Sequence, residues 1–229
     1  QTDGQAVTLW NSLSFERQAL VELPERFQAG ARTLAGEEVP VQTVDGKVKA
    51  LVTIPSCGAV SLVPTEGTDK SGSVAPTDAG KDGSAERKCA AESAAAEVLA
   101  KETAEGIVLE NSQVKAVINR MGEVTSFVLK SSGREFAAEP MNRLHLYKDV
   151  PRLFDAWDID SNYIEQEIEA LTGATAEILS QGLEGVVKVS GRISESTFTQ
   201  YIRLAAGSRR IEFETEIDWK ELHRLLKAS

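Results

Sequence analysis

The chain has 229 residues, of which 25 are Lys or Arg and 35 are Asp or Glu, giving a formal net charge of −10. That length can bury a real core as one large or two modest domains, and 41% apolar with 26% charged residues is an ordinary globular composition. The acidic balance argues against nucleic acid as a partner, because no basic surface is there to neutralise phosphates, and no run of 18 apolar residues exists to span a membrane as a helix.

The sequence opens Gln1-Thr2-Asp3-Gly4, without an initiator Met or a signal region, and stops at Ala228-Ser229. Both ends therefore read as cut from something longer. From Gln5 to Pro64 the pattern is one of short strands. Val7 to Trp10 and Gln18 to Leu23 are β-rich runs, and Val39 to Val44 and Val48 to Ile54 flank Asp45-Gly46, a hairpin signal because both turn positions need positive φ. Pro55 to Gly58 makes a further turn before Val60 to Val63. A small antiparallel sandwich over residues 1–64 is the economical expectation.

Between Thr65 and Gly106 the composition collapses: the stretch has no aromatic residue, and Val74, Val98 and Leu99 are its only large aliphatics. Thr65 to Ser84 cannot bury enough apolar surface to offset its ordering entropy. Glu86 to Ala104 is Ala-rich, with Glu97 and Lys101 in the favourable i,i+4 order, so a short helix is expected there. Residues 65–106 thus read as a flexible linker, exposed to proteolysis over Thr65 to Ser84.

The second piece, 107–229, repeats the idiom with longer strands. Val114 to Ile118 and Val124 to Leu129 flank Asn119 to Gly122, and Val186 to Ile193, Thr197 to Leu204 and Arg210 to Trp219 follow. In the last of these, Ile211, Phe213, Thr215, Ile217 and Trp219 alternate with Glu212, Glu214, Glu216 and Asp218, which predicts a half-buried strand with one solvated face. Cys57 and Cys89 are the only cysteines and read as free thiols in a reducing compartment, with cytoplasm as the default location.

Catalytic templates are missing. His145 and His223 are the only histidines, and neither has a second His or a Cys at ligand spacing, so each is expected to hydrogen-bond within the fold and no metal site is assigned. No G-x-S-x-G, P-loop or H-E-x-x-H is present. One cluster stands out, Pro151 to Asp160, with three carboxylates and a Trp among Asp155-Ala156-Trp157-Asp158-Ile159-Asp160. Charged groups are rarely buried unpaired, so it is not a core strand. One reading is a sugar site, with the Trp157 indole stacked on a pyranose and carboxylates accepting hydroxyl hydrogens. The other is a structural loop, with Asx-turns at the aspartates and Trp157 plugging a sandwich end. Physics alone leaves both open.

These residues also carry a resemblance. Asp155 to Asp160 resembles the D-A-W-D-I/V-D signature in the C-terminal half of glycoside hydrolase family 38 α-mannosidases of the cytosolic and bacterial type. Around it, Leu109-Glu110-Asn111 with Val114, Val117, Gly122, Val124 and Ser126 is similar to the strand-turn-strand opening that family's large β domain. Gly133-Arg134-Glu135, Asn142, Leu144, Leu146, Asp149 and Pro151 follow in the family's order. Asp218-Trp219-Lys220-Glu221, with His223, Leu225, Leu226 and Lys227, resembles its D-W-x-E-x-H-x-L-L-K strand. Trp10 to Arg17 resembles its F-N-P-L-S-W-x-R segment, with Ser12 in place of Pro and Phe15 in place of Trp.

The resemblance implies a mainly β fold: a small antiparallel β-sandwich followed by part of a large, mutarotase-like antiparallel β-supersandwich over 107–229. It implies a retaining enzyme that hydrolyses terminal α-mannosidic bonds of mannose-containing glycans, with a zinc-holding catalytic domain preceding this region. The zinc ligands and the nucleophile map onto no residue here, so no catalytic residue is assigned and the chain is expected to be inactive alone. Asp155, Trp157 and Asp158 are the candidate substrate-binding residues. The catalytic domain of the same polypeptide is the expected partner, and a homo-oligomer of the parent is left open. A stand-alone carbohydrate-binding module with Trp157 as its platform is the alternative, and a mutarotase-like enzyme, which would need His145 or His223 as acid or base, ranks last.

Overall fold

The computed structural model describes residues 6–65, 97–154, 157–168 and 171–229. Two compact units divide between Glu97 and Val98, with 182–184 and 205–207 grouped with the first. Among the described residues, no helix is long and apolar enough to cross a membrane.

The first unit holds β1 (Val7–Trp10), β2 (Arg17–Leu23), β3 (Ala31–Thr33), β4 (Glu38–Val39), β5 (Val41–Val44), β6 (Lys47–Ile54) and β7 (Ala59–Pro64). They form two antiparallel sheets, ordered β1-β7-β3-β4 and β2-β6-β5. Leu23, Val48, Ala50, Val52 and Ile54 from one sheet and Ala31 and Leu62 from the other make a single apolar cluster, filled by Phe27 from a 3-10 turn. The small sandwich is therefore a shared core between two alternating sheets. Asp45 (φ 52°) and Gly46 (φ 74°) both take the left-handed conformation, closing the hairpin in which Val44 faces Lys47. Pro40 splits the run expected as one strand over Val39 to Val44 into β4 and β5, because proline has no N–H for a ladder.

The second unit holds β8 (Leu99–Thr103), β9 (Gly106–Glu110), β10 (Val114–Ile118), β11 (Val124–Leu129), β12 (Arg134–Glu135), β13 (Leu144–Lys148), β14 (Glu167–Ile168), β15 (Leu171–Ser180), β16 (Glu184–Ile193), β17 (Ser196–Ala205), β18 (Ile211–Asp218) and β19 (Arg224–Ala228). These form antiparallel sheets ordered β12-β11-β10-β9-β8, β15-β16-β17-β18 and β14-β13-β19. Val98, Leu109, Val114, Ile118, Val124, Val187, Ile202 and Leu204 are fully buried. Gly185 lets the β16 backbone approach the five-stranded sheet: a Cβ there would lie 2.6 Å from Val98 Cγ1 and 3.1 Å from Leu109 Cδ2.

Two expectations are corrected. Most of the Ala-rich helix expected over Glu86 to Ala104 lies outside the described residues, as do Thr65 to Ser84 apart from Thr65, but Leu99–Thr103 is the strand β8, paired residue by residue with β9. Non-local pairing and the burial of Val98 override a helix propensity that rests on one exposed i,i+4 pair. On β18 the face expected to be half-buried is largely open: Phe213 is 42% exposed and Thr215 is exposed, while Ile211 and Ile217 are half-buried. The strand lies at a sheet edge, with β17 as its one neighbour.

Candidate functional site

The polar residues shared with the family-like motifs fall into two groups, those that hold the backbone and those that project from it. Asn11 is buried; its Nδ2 donates to the carbonyls of Phe15 (2.8 Å), Ile54 (3.3 Å) and Pro55 (3.0 Å), and its Oδ1 accepts from Leu13 N. That one side chain ties β1, the following loop and the end of β6 together, leaving Trp10 on the outside at 80% exposure. Asn111 does the same in the second unit: Oδ1 accepts from the backbone of Gln113 and Val114, and Nδ2 donates to Ser208 O. Asn142, in the left-handed conformation, donates to Gly122 O and to Gln200 Oε1.

Two glutamates of these motifs, Glu135 and Glu221, are likewise architectural. Glu135 accepts from the Ser126 hydroxyl (2.6 Å) and from the N–H groups of Ala137, Phe127 and Phe136, which together hold its carboxyl down at about 2. Burial pushes the Glu221 carboxyl up, but N–H donation from Glu195 and Ser196 and the Ser194 and Ser196 hydroxyls outweigh it and leave the carboxyl below its ordinary range. Glu221 thereby closes the turn between β16 and β17, where Ser194 has φ 56°. The acidic face of β18 is a solvated row, with Glu214 on Arg203, Glu212 on Arg210 and Asp218 on Lys220.

The acidic–aromatic segment is different. It runs between β13 and β14 as a loop, leaving β13 where Asp149 N donates to His223 O and re-entering through a 3-10 turn, Ser161–Gln166. Its neck is closed by Asp160, whose Oδ2 accepts from Arg152 N (3.3 Å) and pairs with Arg152 Nε (3.6 Å). At its tip, Phe154 takes φ 56°, a costly conformation for a bulky side chain, and its carbonyl accepts from both Trp157 N and Asp158 N. The Phe154 and Trp157 rings meet edge to face with centroids 6.1 Å apart. Trp157 is 88% exposed and Phe154 67%, and Leu153, Ile159 and Ile164 around them are exposed too. Trp157 therefore plugs nothing. Asp158 is exposed beside it, and Asp155 lies outside the described residues.

Below the loop, His145 has both ring nitrogens engaged, Nδ1 with Glu167 Oε1 (2.6 Å) and Nε2 with Ser229 Oγ (2.9 Å). The two bonds fix the orientation of the imidazole. The Tyr147 and Tyr163 rings meet at right angles 5.2 Å apart, and Lys227 Nζ donates to Tyr163 OH (2.6 Å), a bond that raises the Lys227 ammonium above its ordinary range. Among the described residues no three His, Cys, Asp or Glu side chains converge to hold a metal ion, so the donor set here does not fit zinc. A cleft lined by Glu102, Thr103, Ile107, Ile118, Asn119 and Arg120 includes no residue of the loop. Sequence reasoning picked out Trp157 and Asp158 but missed Phe154 as a partner and the whole His145–Lys227 cluster. Phe154 was signalled by its position in the same apolar-acidic run, whereas the cluster depends on strand register and had no local signal.

The sequence model of the family described as glycosyl hydrolases family 38 C-terminal domain matches residues 109–229, more than half of the chain. Alpha-mannosidase 2C1 of Homo sapiens is 35% identical over 133 residues, covering 55% of this chain and 13% of the relative. The mouse protein of the same name gives the same identity and coverage, and alpha-mannosidase G of Dictyostelium discoideum is 32% identical over 130 residues, 53% of this chain and 12% of its own length. The chain thus spans only 13% of the length of the first of these relatives.

Proposed function

The chain belongs to glycosyl hydrolase family 38, whose C-terminal domain it contains, and from that premise we propose that it is the C-terminal β portion of an α-mannosidase that cleaves terminal α-mannosidic bonds with retention. Its matched relatives carry the name alpha-mannosidase, and mannose-containing glycans are the substrates this reading assigns. The catalytic centre belongs to a domain of the same polypeptide outside these residues, zinc is that domain's requirement, and the cytoplasm is the location.

In this reading the loop around Trp157 faces the catalytic domain. The observation that carries it is a division of labour: Asn11, Asn111, Asn142, Glu135 and Glu221 are consumed by the backbone, while Trp157 is 88% exposed and supports nothing. An indole with an edge-on phenyl beside it and an exposed carboxylate next in sequence can cover the apolar face of a pyranose and accept from its hydroxyls. Trp157 and Asp158, with Asp155 next to them in sequence, are the proposed substrate-side residues. Trp157→Ala in the full-length enzyme should raise KM or lower kcat, according to whether the contact is made in the ground state or only in the transition state. An unchanged kcat/KM would overturn the assignment. The exposed aromatic pair also suits a stand-alone carbohydrate-binding module. Titrating the 229-residue chain with mannose separates the two, since a module binds sugar without a catalytic partner.

A further inference from the structure

The loop that presents Trp157 is poorly held by its own backbone. Its return leg, Ser161–Gln166, has no buried residue and no side-chain cap, and β14, which follows, is two residues long with two ladder partners on β13. A segment with so little packing opens locally at low cost unless side chains fasten it. Two do. Tyr163 lays its ring against Tyr147 and accepts a hydrogen bond from Lys227 Nζ, and Glu167 reaches His145 Nδ1. The receiving residues are not independent: His145 and Lys227 are directly opposed Cα partners across β13 and β19. Alternation then sets His145, Tyr147 and Lys227 on one face, with Leu146 and Leu226 on the other. Ser229 fixes the second nitrogen of His145, so the imidazole is aimed before Glu167 arrives.

We propose that this His145–Lys227 cross-strand pair is a two-point clasp on the loop's return leg, making His145, Lys227 and Tyr163 positioning residues for Trp157 and Asp158. The role assigned to the loop rests on the α-mannosidase reading, but the clasp itself is a property of this chain and is testable without sugar. Only Asp158, Ile159 and Asp160 separate Trp157 from the clasped turn, and Asp160 O accepts from Tyr163 N, so motion of Tyr163 is passed on through one closed neck. Releasing either point frees the indole while leaving the sandwich cores intact, because none of the clasp residues is part of them.

The experiment uses the 229-residue chain with Trp10→Phe and Trp219→Phe, which leaves Trp157 as its only indole, and follows time-resolved fluorescence anisotropy. The amplitude of the sub-nanosecond component should rise about twofold in Lys227→Met and in Glu167→Ala. Lys227→Arg, which keeps a cationic donor, should restore slow rotation, and the unfolding midpoint should stay at the parent value throughout. Should Lys227→Met fail to fold, Tyr163→Phe decides, since it removes only the hydroxyl. Unchanged anisotropy in a folded Tyr163→Phe and Glu167→Ala double variant would overturn the clasp. A failed kinetic effect of Trp157→Ala with raised anisotropy in these variants would instead overturn the sugar-site reading and leave the clasp standing.

Discussion

Asn11 offers a clear view of how single side chains shape this protein. Its amide serves three carbonyls and its oxygen one N–H, inside a loop that makes few backbone bonds of its own. Asn11→Ala leaves those carbonyls short of donors in a buried setting and should cost about 1–3 kcal/mol, read as a lower urea midpoint with unchanged slope. Glu135 works through the same principle with a charge. Its folded carboxyl titrates at about 2, against 4.5 for the free group, because the Ser126 hydroxyl and three backbone N–H groups bond the ionised form. A lowered folded value means the stabilisation is complete above the unfolded value and drains away as pH falls from about 4.5 towards 2. Glu135→Gln should therefore flatten the stability profile across that acid window and leave its shape near neutrality alone. Urea titrations of both proteins between these limits check it. Trp157 stands at the opposite pole, since it has nearly all its surface in water. Trp157→Ala should leave the thermal midpoint of the 229-residue chain unchanged, whereas an indole filling a core would cost about 3–5 kcal/mol.

Among the elements, β17 and β18 show how position in a sheet outweighs composition. Ile202 and Phe213 are opposed partners on the same face, yet Ile202 is fully buried and Phe213 is 42% exposed. Ile202→Ala should cost about 2–5 kcal/mol and Phe213→Ala under about 1, although phenylalanine is the larger residue. Equal losses by calorimetry would mean that the β18 face is covered. β6 and β17 are legible in the sequence because alternate residues such as Val48, Ala50, Val52 and Ile54, or Phe198, Ile202 and Leu204, are buried, while β10 and β11 are legible as β-branched runs either side of the Asn119 to Gly122 turn. β15 was not, because Thr172, Gly173, Ala174 and Ala176 give too weak an apolar signal over a strand that is also interrupted by irregular register. The β8 segment carries a local helix signal, since nothing local reports that its ladder partner is β9. The loop itself was legible from three carboxylates beside an indole. Its fastening was not, because the pairing of His145 with Lys227 joins residues far apart in sequence and follows from register alone.

At the scale of the molecule, the proposed function gives this chain the part of a scaffold with an exposed surface and places the reacting centre elsewhere in the polypeptide. Retaining glycoside hydrolysis needs a carboxylate nucleophile and a carboxylic acid flanking one glycosidic bond, about 5–5.5 Å apart. Of the described loop carboxylates, Asp160 is committed to Arg152, and Asp158 is exposed to solvent. Glu135 and Glu221 are held as anions by hydroxyl and backbone N–H donors of the fold. The relatives that carry the α-mannosidase name are far longer than the shared region, which leaves ample chain for the reacting groups elsewhere. The 229-residue chain should accordingly release no product from an aryl α-mannoside, with or without added zinc. The assay to run is product release against time, repeated after Asp158→Asn and His145→Gln. Zinc-dependent turnover that disappears with either substitution would place a reacting centre within this chain and overturn the division between scaffold and catalytic domain.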